Sequence, residues 1–258
     1  MPSVKGDFVA TTHLLGTGAA LSDRDRTTTM LAIQGRDSLV LVDCGGDAAH
    51  RLLAAGLDLA ALTGLIVTHE HADHVAGFPL LMERLWLAGI GARFPVHGIA
   101  PALAQARRIH DAFDIGSWPN YPELDYREFP LERGALVLED DDFVVRAAPG
   151  SHSVPVVGLR FESKRDGSSV AYSCDTEYSP AIVELAKGAD LLIHEASGEA
   201  PGHSTSASAG RVAKEAGVKR LVLVHLPPLD GKAHEWLAAA RESFPDAVLG
   251  SDGDRLEF

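Results

Sequence analysis

Short runs of apolar residues recur along the chain and are bounded by Gly, Pro and Asp, a pattern typical of strands. Strands are therefore predicted at residues 8–15, 28–33, 39–43, 65–68, 94–98, 135–138, 143–147, 156–161, 169–173, 189–194 and 220–225, with a short one near Ala247. Between them, apolar residues at helical spacing predict helices at 47–60, 78–88, 101–114, 179–187, 205–216 and 233–243. Residues 116–130 hold aromatic residues and prolines without a period, which predicts an irregular loop.

The two halves of the chain have a similar order of elements. Each runs from strands into alternating helices and strands, which predicts an α/β protein with two similar layers packed face to face. The strand at 39–43 begins with four apolar residues, as expected of a strand covered on both faces. The chain is expected to form a single domain of residues 1–258, with pseudo-halves at about 1–134 and 135–258.

Composition narrows the functional classes. The 258 residues are 46% hydrophobic, enough for a large core, and no apolar run is long enough to predict a membrane span. The segment from Met1 to Asp7 is polar and has no secretory signal, so a cytoplasmic location is expected. A net charge of −13 argues against a large nucleic-acid interface, which would require a basic face. Cys44 and Cys174 are predicted to be small buried side chains without a disulfide.

The candidate chemistry begins at the end of the strand predicted at 65–68. There the sequence reads Thr-His-Glu-His-Ala-Asp-His over residues 68–74, and imidazole and carboxylate are typical zinc ligands. Four such side chains so close in sequence cannot all converge on one point. His69 and His71 are therefore expected to meet one metal ion, and Asp73 and His74 a second one.

Further candidates stand where other apolar strands end: His152, Asp175, His194, Glu195, His203 and His225. A single histidine in such a place is usually structural, but the ends of parallel strands converge on one rim of a sheet. Asp43, after the strand at 39–43, is a candidate for the carboxylate that fixes the tautomer of a metal-binding histidine. A simple turn-forming aspartate is the alternative.

The order HxHxDH, His, Asp, His resembles the metallo-β-lactamase fold superfamily. Within it, the chain resembles the ribonuclease Z branch, because of motifs at residues 15–20, 41–45, 68–74, 173–176, 193–196 and 202–205. This resemblance implies a four-layer αβ/βα sandwich, in which two mixed sheets pack face to face with helices outside. It also implies a dinuclear zinc hydrolase acting on phosphodiesters, with a hydroxide between the metals as nucleophile.

The resemblance also implies roles for individual residues. One Zn²⁺ is expected at His69, His71 and His152, the other at Asp73, His74 and His225, and Asp175 would bridge them, with Mn²⁺ or Fe as alternative metals. Asp73, His203 and Glu195 are the expected catalytic residues: His203 would protonate the leaving oxygen and Glu195 would orient it. His194 is expected to be structural.

One part of the family pattern is absent. Common bacterial ribonuclease Z enzymes have a long arm that grips transfer RNA, inserted between the third histidine and the bridging aspartate. His152 and Asp175 are only 23 positions apart, which leaves room for two strands and a turn. The expected substrate is therefore a small molecule or a short phosphodiester rather than transfer RNA. Because relatives are often dimers, a homodimer is a candidate assembly, although core burial explains the apolar helix at 78–88 equally well.

Two other functions are compatible with these motifs. The same fold could hydrolyse a carboxylic ester, a lactone or a β-lactam, reactions that do not need His203. A non-catalytic member that only binds metal is the second alternative. Chelation, a substrate panel and the loss of His203 distinguish these three functions.

Overall fold

Two seven-stranded sheets form the centre of the protein in a computed structural model, which describes residues 8–90 and 93–258. The segment from Met1 to Asp7, where the sequence shows no secretory signal, lies outside the described residues. The strands in chain order are β1 Thr11–Gly16, β2 Met30–Gln34, β3 Leu39–Val42, β4 Gly64–Val67, β5 Arg93–Gly98, β6 Glu123–Glu128, β7 Ala135–Glu139, β8 Phe143–Pro149, β9 Val157–Ser163, β10 Ser169–Tyr172, β11 Leu191–Glu195, β12 Leu221–Val224, β13 Val248–Leu249 and β14 Arg255–Glu257.

Each sheet is half antiparallel and half parallel. The first has the order β14-β1-β2-β3-β4-β5-β6, antiparallel as far as β3 and parallel from β3 to β6. The second has the order β13-β12-β11-β10-β9-β8-β7, parallel as far as β10 and antiparallel beyond it. Six strands, β1, β3, β4, β10, β11 and β12, are buried at every position, because both faces of the sheets are covered there.

Seven helices and one short 3₁₀ turn are found in the described part of the chain. The helices are α1 Ala48–Ala54, α2 Ala72–Val75, α3 Phe78–Leu87, α4 Ala100–His110, α5 Pro180–Ala186, α6 Ser206–Ala216 and α7 Ala233–Arg241, and the turn is Leu59–Ala61. One apolar core includes side chains from both sheets and from α1, α3 and α4, while a second fills the space between the second sheet and α5, α6 and α7. The α/β prediction of two mixed sheets, face to face with helices outside, is therefore confirmed.

Two predicted elements were wrong or incomplete, and one strand was missed. The loop expected at 116–130 contains β6 at the edge of the first sheet, and β14 was not predicted at all. The helix expected at 47–60 ends at Ala54, because Gly56 takes a left-handed φ of 75°, and only a 3₁₀ turn follows it. Within α3, five side chains are buried but Leu87 is 67% exposed, so core packing accounts for most of its apolar character.

The acidic run at residues 139–142 covers the end of β7 and the turn before β8. Asp142 accepts hydrogen bonds from the backbone N–H groups of Asp37 and Ser38, and Asp140 accepts one from the Ser38 hydroxyl. Two acids of the run therefore tie the second sheet to the turn between β2 and β3 of the first.

The C-terminal ends of the central parallel strands meet at one rim of the sandwich. Each candidate of the predicted constellation follows or ends one of these strands or lies in a loop beside them. None of the helices in residues 8–90 and 93–258 combines the length and the apolar character that a membrane span requires.

Candidate metal centre

Three strands end in the same unusual way at this rim. Asp43 and His225 directly follow β3 and β12, Cys174 is the second residue after β10, and their φ angles are 60°, 53° and 52°. Left-handed backbone is uncommon for residues other than glycine, and it clusters at functional sites. Each residue turns the chain sharply out of a buried strand, which brings the following side chains to the space between the sheets.

The turn that holds residues 69–74 is packed against the segment after β3. The Cys44 amide N–H donates to the His74 carbonyl over 2.7 Å, and the Gly77 N–H donates to the Cys44 carbonyl over 2.8 Å. A Cβ at Gly45 would lie 1.7 Å from the Asp73 carbonyl oxygen, so only glycine allows this approach. The backbone therefore fixes the turn before any metal is considered.

Two clusters of ligand atoms form at the rim and share one carboxylate. His69, His71, His152 and Asp175 make up the first cluster, and Asp73, His74, His225 and Asp175 the second, with all ligand atoms of a cluster within 4.8 Å of one another. These are the two sets that the family resemblance implies, and all seven expected metal ligands lie in them. His194 belongs to neither cluster; it is fully buried and its Nδ1 donates to the Glu195 carbonyl over 2.8 Å.

Asp175 lies at the centre of both clusters. Its Oδ2 atom is 3.9 Å from His69 Nε2, 3.5 Å from His74 Nε2, 4.0 Å from His152 Nε2 and 3.3 Å from His225 Nε2. The side chain is 2% exposed, so this carboxylate is surrounded by imidazoles rather than by water. Such a position suits a ligand that is shared between two cations.

The inward-facing atoms provide a test of whether a metal fits. Within the described residues, His69 Nε2, His74 Nε2 and Asp175 Oδ1 are buried without a hydrogen-bond partner. Buried polar atoms are normally paired, so three such atoms in one place indicate a missing partner. A divalent cation, which accepts lone pairs from imidazole and carboxylate, supplies that partner, and the donor set matches zinc chemistry. The residues therefore fit two metal ions.

Asp43 and Thr68 fix the tautomers of two histidines from behind. The Asp43 carboxylate accepts from His74 Nδ1 over 2.8 Å and from the Thr68 hydroxyl over 2.9 Å. Because the single hydroxyl proton of Thr68 goes to Asp43, its oxygen accepts from His69 Nδ1, which lies 3.1 Å away. Both histidines are thus protonated on Nδ1, which leaves each Nε2 lone pair free to face the centre.

A loop carbonyl fixes the tautomer of His152 in the same way. His152 Nδ1 donates to the Gly202 carbonyl over 2.7 Å, and the Gly202 N–H donates to Glu177 Oε1 over 2.9 Å. Gly202 has a φ of 85°, and a Cβ there would lie 2.7 Å from His152 Nδ1. Both the backbone angle and the contact therefore require glycine.

Ser197 orients His225 by its hydroxyl group. The Ser197 Oγ atom lies 2.6 Å from His225 Nδ1 and donates to the His225 carbonyl over 2.8 Å, so Nδ1–H donates to Oγ. As at the other sites, this arrangement leaves His225 Nε2 free, 3.3 Å from Asp73 Oδ2.

His203 lies at the open side of the clusters and is held by Glu195. Its Nδ1 donates to Glu195 Oε1 over 3.0 Å, and its ring stacks on His225 at 5.5 Å between ring centroids. Glu195 is fully buried, and it also accepts from the N–H groups of Thr176 and Ser197. The carboxylate is thus fixed on three sides, and the ring edge bearing His203 Nε2 is the one left for a ligand.

The charges of the cluster suit cation binding. Burial alone would raise the pKa of Asp73 and Asp175, but His225 and His74 outweigh it and hold both carboxyl pKa values well below the ordinary range. Burial, with the neighbouring histidines, lowers the pKa of His69 and His71. The hydrogen bond to Glu195 outweighs burial and raises the pKa of His203. Burial alone would lower the pKa of His74, but Asp175 and Asp43 outweigh it and raise that pKa. Ionised carboxylates and neutral imidazoles are the forms that bind metal, so a metal ion would take the place of the proton on His74 Nε2.

Several positioning groups were not predicted from the sequence. Thr68, Ser197 and Glu177 are ordinary polar residues, and Gly202 acts through a backbone carbonyl, which no residue type reveals. The only available signal was their position next to a predicted ligand or catalytic residue. Both thiols are free and buried, as predicted, and Cys174 Sγ lies 3.1 Å from Thr68 Oγ1.

Comparison with known proteins agrees with this geometry. Residues 39–226 match the family model described as the beta-lactamase superfamily domain. A protein named ribonuclease Z from Synechococcus sp. (strain WH7803) is 33% identical, over 92% of this chain and 93% of its own. A ribonuclease Z from Methanothermobacter thermautotrophicus is 30% identical over the same shares of the two chains.

Solved structures show the same fold. The metallo-beta-lactamase fold protein YhfI from Bacillus subtilis superposes with a TM-score of 0.83, at 23% identity, over 98% of this chain and all of that one. The short form of human tRNase Z gives a TM-score of 0.78 at 23% identity, over 96% of this chain and 98% of its own. These structures confirm the predicted metallo-β-lactamase fold, and the ribonuclease Z relatives confirm the predicted branch. The chain belongs to the beta-lactamase superfamily, in its ribonuclease Z-like branch.

Proposed function

We propose that the protein is a metal-dependent hydrolase that cleaves phosphodiester bonds with two Zn²⁺ ions bound at the rim. The observation that supports this most directly is the shared position of Asp175 between two histidine clusters. The name ribonuclease Z, given to relatives that match over more than nine tenths of both chains, supports the reaction class.

His69, His71 and His152 would hold one ion, and Asp73, His74 and His225 the other. Bound in this way, two divalent cations supply Lewis-acid polarisation of phosphoryl oxygens and activation of a water molecule as nucleophile. The chain itself keeps the donor atoms in place, since Asp43, Thr68, Gly202 and Ser197 fix the imidazole orientations. Asp73 would act as a ligand of the second ion, and it also contacts His225.

His203 would donate the proton that the leaving oxygen needs. Its Nδ1–H is committed to Glu195, so Nε2 is the atom that holds a transferable proton toward the site. The raised pKa of His203 keeps that proton bound at a higher pH than an isolated imidazole would. Glu195 does not contact the reacting atoms and acts as a positioning residue.

The substrate is proposed to be a small molecule or a short phosphodiester rather than transfer RNA. Between His152 and Asp175 the chain builds only β9, β10 and their connecting turn. The alignment with the Synechococcus protein runs over 303 positions, whereas 92% of 258 residues is about 237, so about 66 positions have no counterpart here. The shorter chain supports a site without a long gripping arm. The homodimer, the single-domain organisation and the cytoplasmic location stay predictions.

Hydrolysis of bis(p-nitrophenyl) phosphate tests the proposal. The wild-type protein is expected to hydrolyse it, to lose the activity on chelation and to regain it with Zn²⁺. Asp73→Ala is expected to be inactive, and the matched control Asp246→Ala, at an exposed acid, is expected to keep wild-type activity. Activity that survives chelation or the loss of Asp73 would refute the proposal.

A substrate panel separates phosphodiesterase activity from the lactonase, esterase or β-lactamase alternative. Lactones, carboxylic esters and β-lactams are offered beside the phosphodiester to the wild type and to His203→Ala. The proposal expects the phosphodiester to be preferred and its cleavage to depend on His203. A preference for lactones or esters that does not change in His203→Ala would favour the alternative. A protein that contains metal but turns over none of these substrates would favour the non-catalytic alternative.

A further inference from the structure

A second candidate site lies on the outer surface of the second sheet, beside α5. A cavity of about 390 Å³ there is bordered by four basic residues, which we call the basic pocket: Arg133, Arg146, Arg160 and Lys187. Its floor is apolar and includes Ala148, Ala181 and Leu185. The volume is within the range of pockets that bind small ligands.

The charge of the basic pocket is opposite to that of the whole chain. Only two carboxylates, Glu162 and Glu184, border the same cavity, so its six charged groups sum to +2 in a chain of net charge −13. Cations gathered in an acidic protein repel one another at a cost to folding.

Two of the arginines face each other across neighbouring strands. Arg146 of β8 is the register partner of Arg160 of β9, which places like charges directly opposite each other. Such a pair is destabilising unless an anion lies between the two cations. Arg160 has a structural role as well, because it donates to the carbonyls of Leu185 and Lys187 at the end of α5. Arg160 Nε also forms an ion pair with Glu162 Oε2 over 3.8 Å, a distance longer than a normal hydrogen bond.

Arg146 and Arg133, which lies in the turn before β7, have N–H donors without a partner in the described part of the chain. Among the described residues, Arg146 makes a single hydrogen bond, from Nη1 to the Gly134 carbonyl over 3.1 Å. Arg133 has no hydrogen bond or ion pair with any other described residue, and both side chains belong to exposed residues. A guanidinium group presents its N–H donors in a planar fork that matches the oxygens of a phosphate group.

We propose that the basic pocket binds a phosphate group, at a position distinct from the metal centre. The phosphate would lie between Arg146 and Arg160 and accept hydrogen bonds from Arg133 and Arg146. The apolar floor would contact whatever organic group bears the phosphate. The phosphate belongs either to a free small molecule or to a neighbouring unit of a nucleic-acid strand, and both sources share this chemistry.

The place of the pocket in the fold makes the second source testable. Arg146 and Arg160 each lie three residues from the strand ends, Pro149 and Val157, that flank His152. At a rise of roughly 3.3 Å per residue, the pocket is about 10 Å from that end of the strands. A strand of nucleic acid that leaves the metal centre over this edge would therefore pass near it. The pocket itself does not rest on the proposed phosphodiesterase activity.

Calorimetric titration of the zinc-loaded full chain tests the proposal with two probes, inorganic phosphate and a phosphorothioate DNA hexamer that resists hydrolysis. The double variant Arg133→Gln/Arg146→Gln removes two donors without touching the hydrogen bonds of Arg160. The matched control is Arg36→Gln/Arg108→Gln, at two other exposed arginines. None of these substitutions lies at the metal centre, so a difference in anion affinity between the three proteins reports on the basic pocket.

The double variant is expected to lose at least about tenfold in affinity for the pocket-bound anion, because charge-assisted hydrogen bonds are lost, while the control stays at the wild-type value. A loss seen with phosphate assigns a free small anion to the pocket, and a loss seen only with the hexamer assigns a nucleic-acid phosphate. Phosphate protection of the wild type against thermal unfolding, weaker in the double variant, gives an independent readout. Identical isotherms for the double variant, the control and the wild type would overturn the proposal.

Discussion

Replacing Thr68 by valine tests how the protein orients His69. Valine has nearly the same shape as threonine but lacks the hydroxyl group, which lies 2.9 Å from Asp43 Oδ2 and 3.1 Å from His69 Nδ1. The substitution thus removes the donor to Asp43 and the acceptor for the His69 Nδ1 proton together. Thr68→Ser keeps the hydroxyl and loses only a methyl group, so it is the matched control.

The size of the effect follows from the contacts. Asp43 keeps two donors in Thr68→Val, the Thr68 backbone N–H at 2.9 Å and His74 Nδ1 at 2.8 Å. The lost hydrogen bond to the ionised carboxylate is worth about 1.5–3 kcal/mol, and the lost bond to the imidazole about 1 kcal/mol. Thr68→Val should therefore destabilise the fold by roughly 3 kcal/mol, and Thr68→Ser by about 1 kcal/mol or less.

Two measurements check this prediction. Urea unfolding gives the stability difference, and competition with a chelator gives zinc affinity, which should fall about tenfold to a hundredfold in Thr68→Val because His69 is free to change tautomer. Nitrogen-15 shifts of the His69 ring report the tautomer directly in the metal-free protein. The reasoning is refuted if Thr68→Val and Thr68→Ser bind zinc equally well and show the same His69 tautomer.

Three further predictions concern other positions. His203→Ala should lower kcat for bis(p-nitrophenyl) phosphate by about 10²–10⁴ while the metal content measured by elemental analysis stays unchanged; a normal kcat would exclude proton donation by this residue. Gly202→Ala should weaken zinc binding about tenfold or more, since its Cβ would lie 2.7 Å from His152 Nδ1. The control Gly56→Ala, at a glycine with a similar positive φ and no neighbour within 4 Å, should bind zinc normally. Equal zinc affinities of the two variants would contradict this prediction. Burial, and after it Arg127, lowers the pKa of His97, so on acidification the unfolded chain binds a proton at this residue before the folded protein does. The free energy of unfolding should therefore fall as the pH drops below about 6.5, and urea unfolding should find a weaker pH dependence in His97→Gln. An unchanged pH dependence in His97→Gln would argue against a buried neutral His97.

The buried strands could be predicted from the sequence because their cause is local. Both faces of β3, β4, β10 and β12 are covered, and each appears in the sequence as an uninterrupted or nearly uninterrupted apolar run. The edge strand β6, Glu-Leu-Asp-Tyr-Arg-Glu, has no fully buried residue, so its sequence resembles a loop and only pairing with β5 makes it a strand. The three residues of β14 are strand only because they pair with β1, at the other end of the chain.

The residues of the site also fall into two groups, those that the local sequence reveals and those that depend on contacts with distant parts of the chain. Ligands could be found because histidine and aspartate after apolar runs are rare and chemically distinctive, as in residues 68–74. The groups that aim them depend on contacts between distant parts of the chain, such as His152 with the carbonyl of Gly202, 50 positions away. The left-handed angles of Asp43 and His225 are likewise imposed by packing and hydrogen bonding, and their residue types do not reveal them.

Titration of the metal-free wild-type protein with Zn²⁺, with hydrolysis of bis(p-nitrophenyl) phosphate followed at each step, tests the central claim most directly. The two clusters that share Asp175 predict that activity rises to its full value only as the second equivalent per chain is added. Asp175→Ala should stay inactive throughout the titration. Full activity without added metal, or a plateau after one equivalent, would contradict a dinuclear hydrolase.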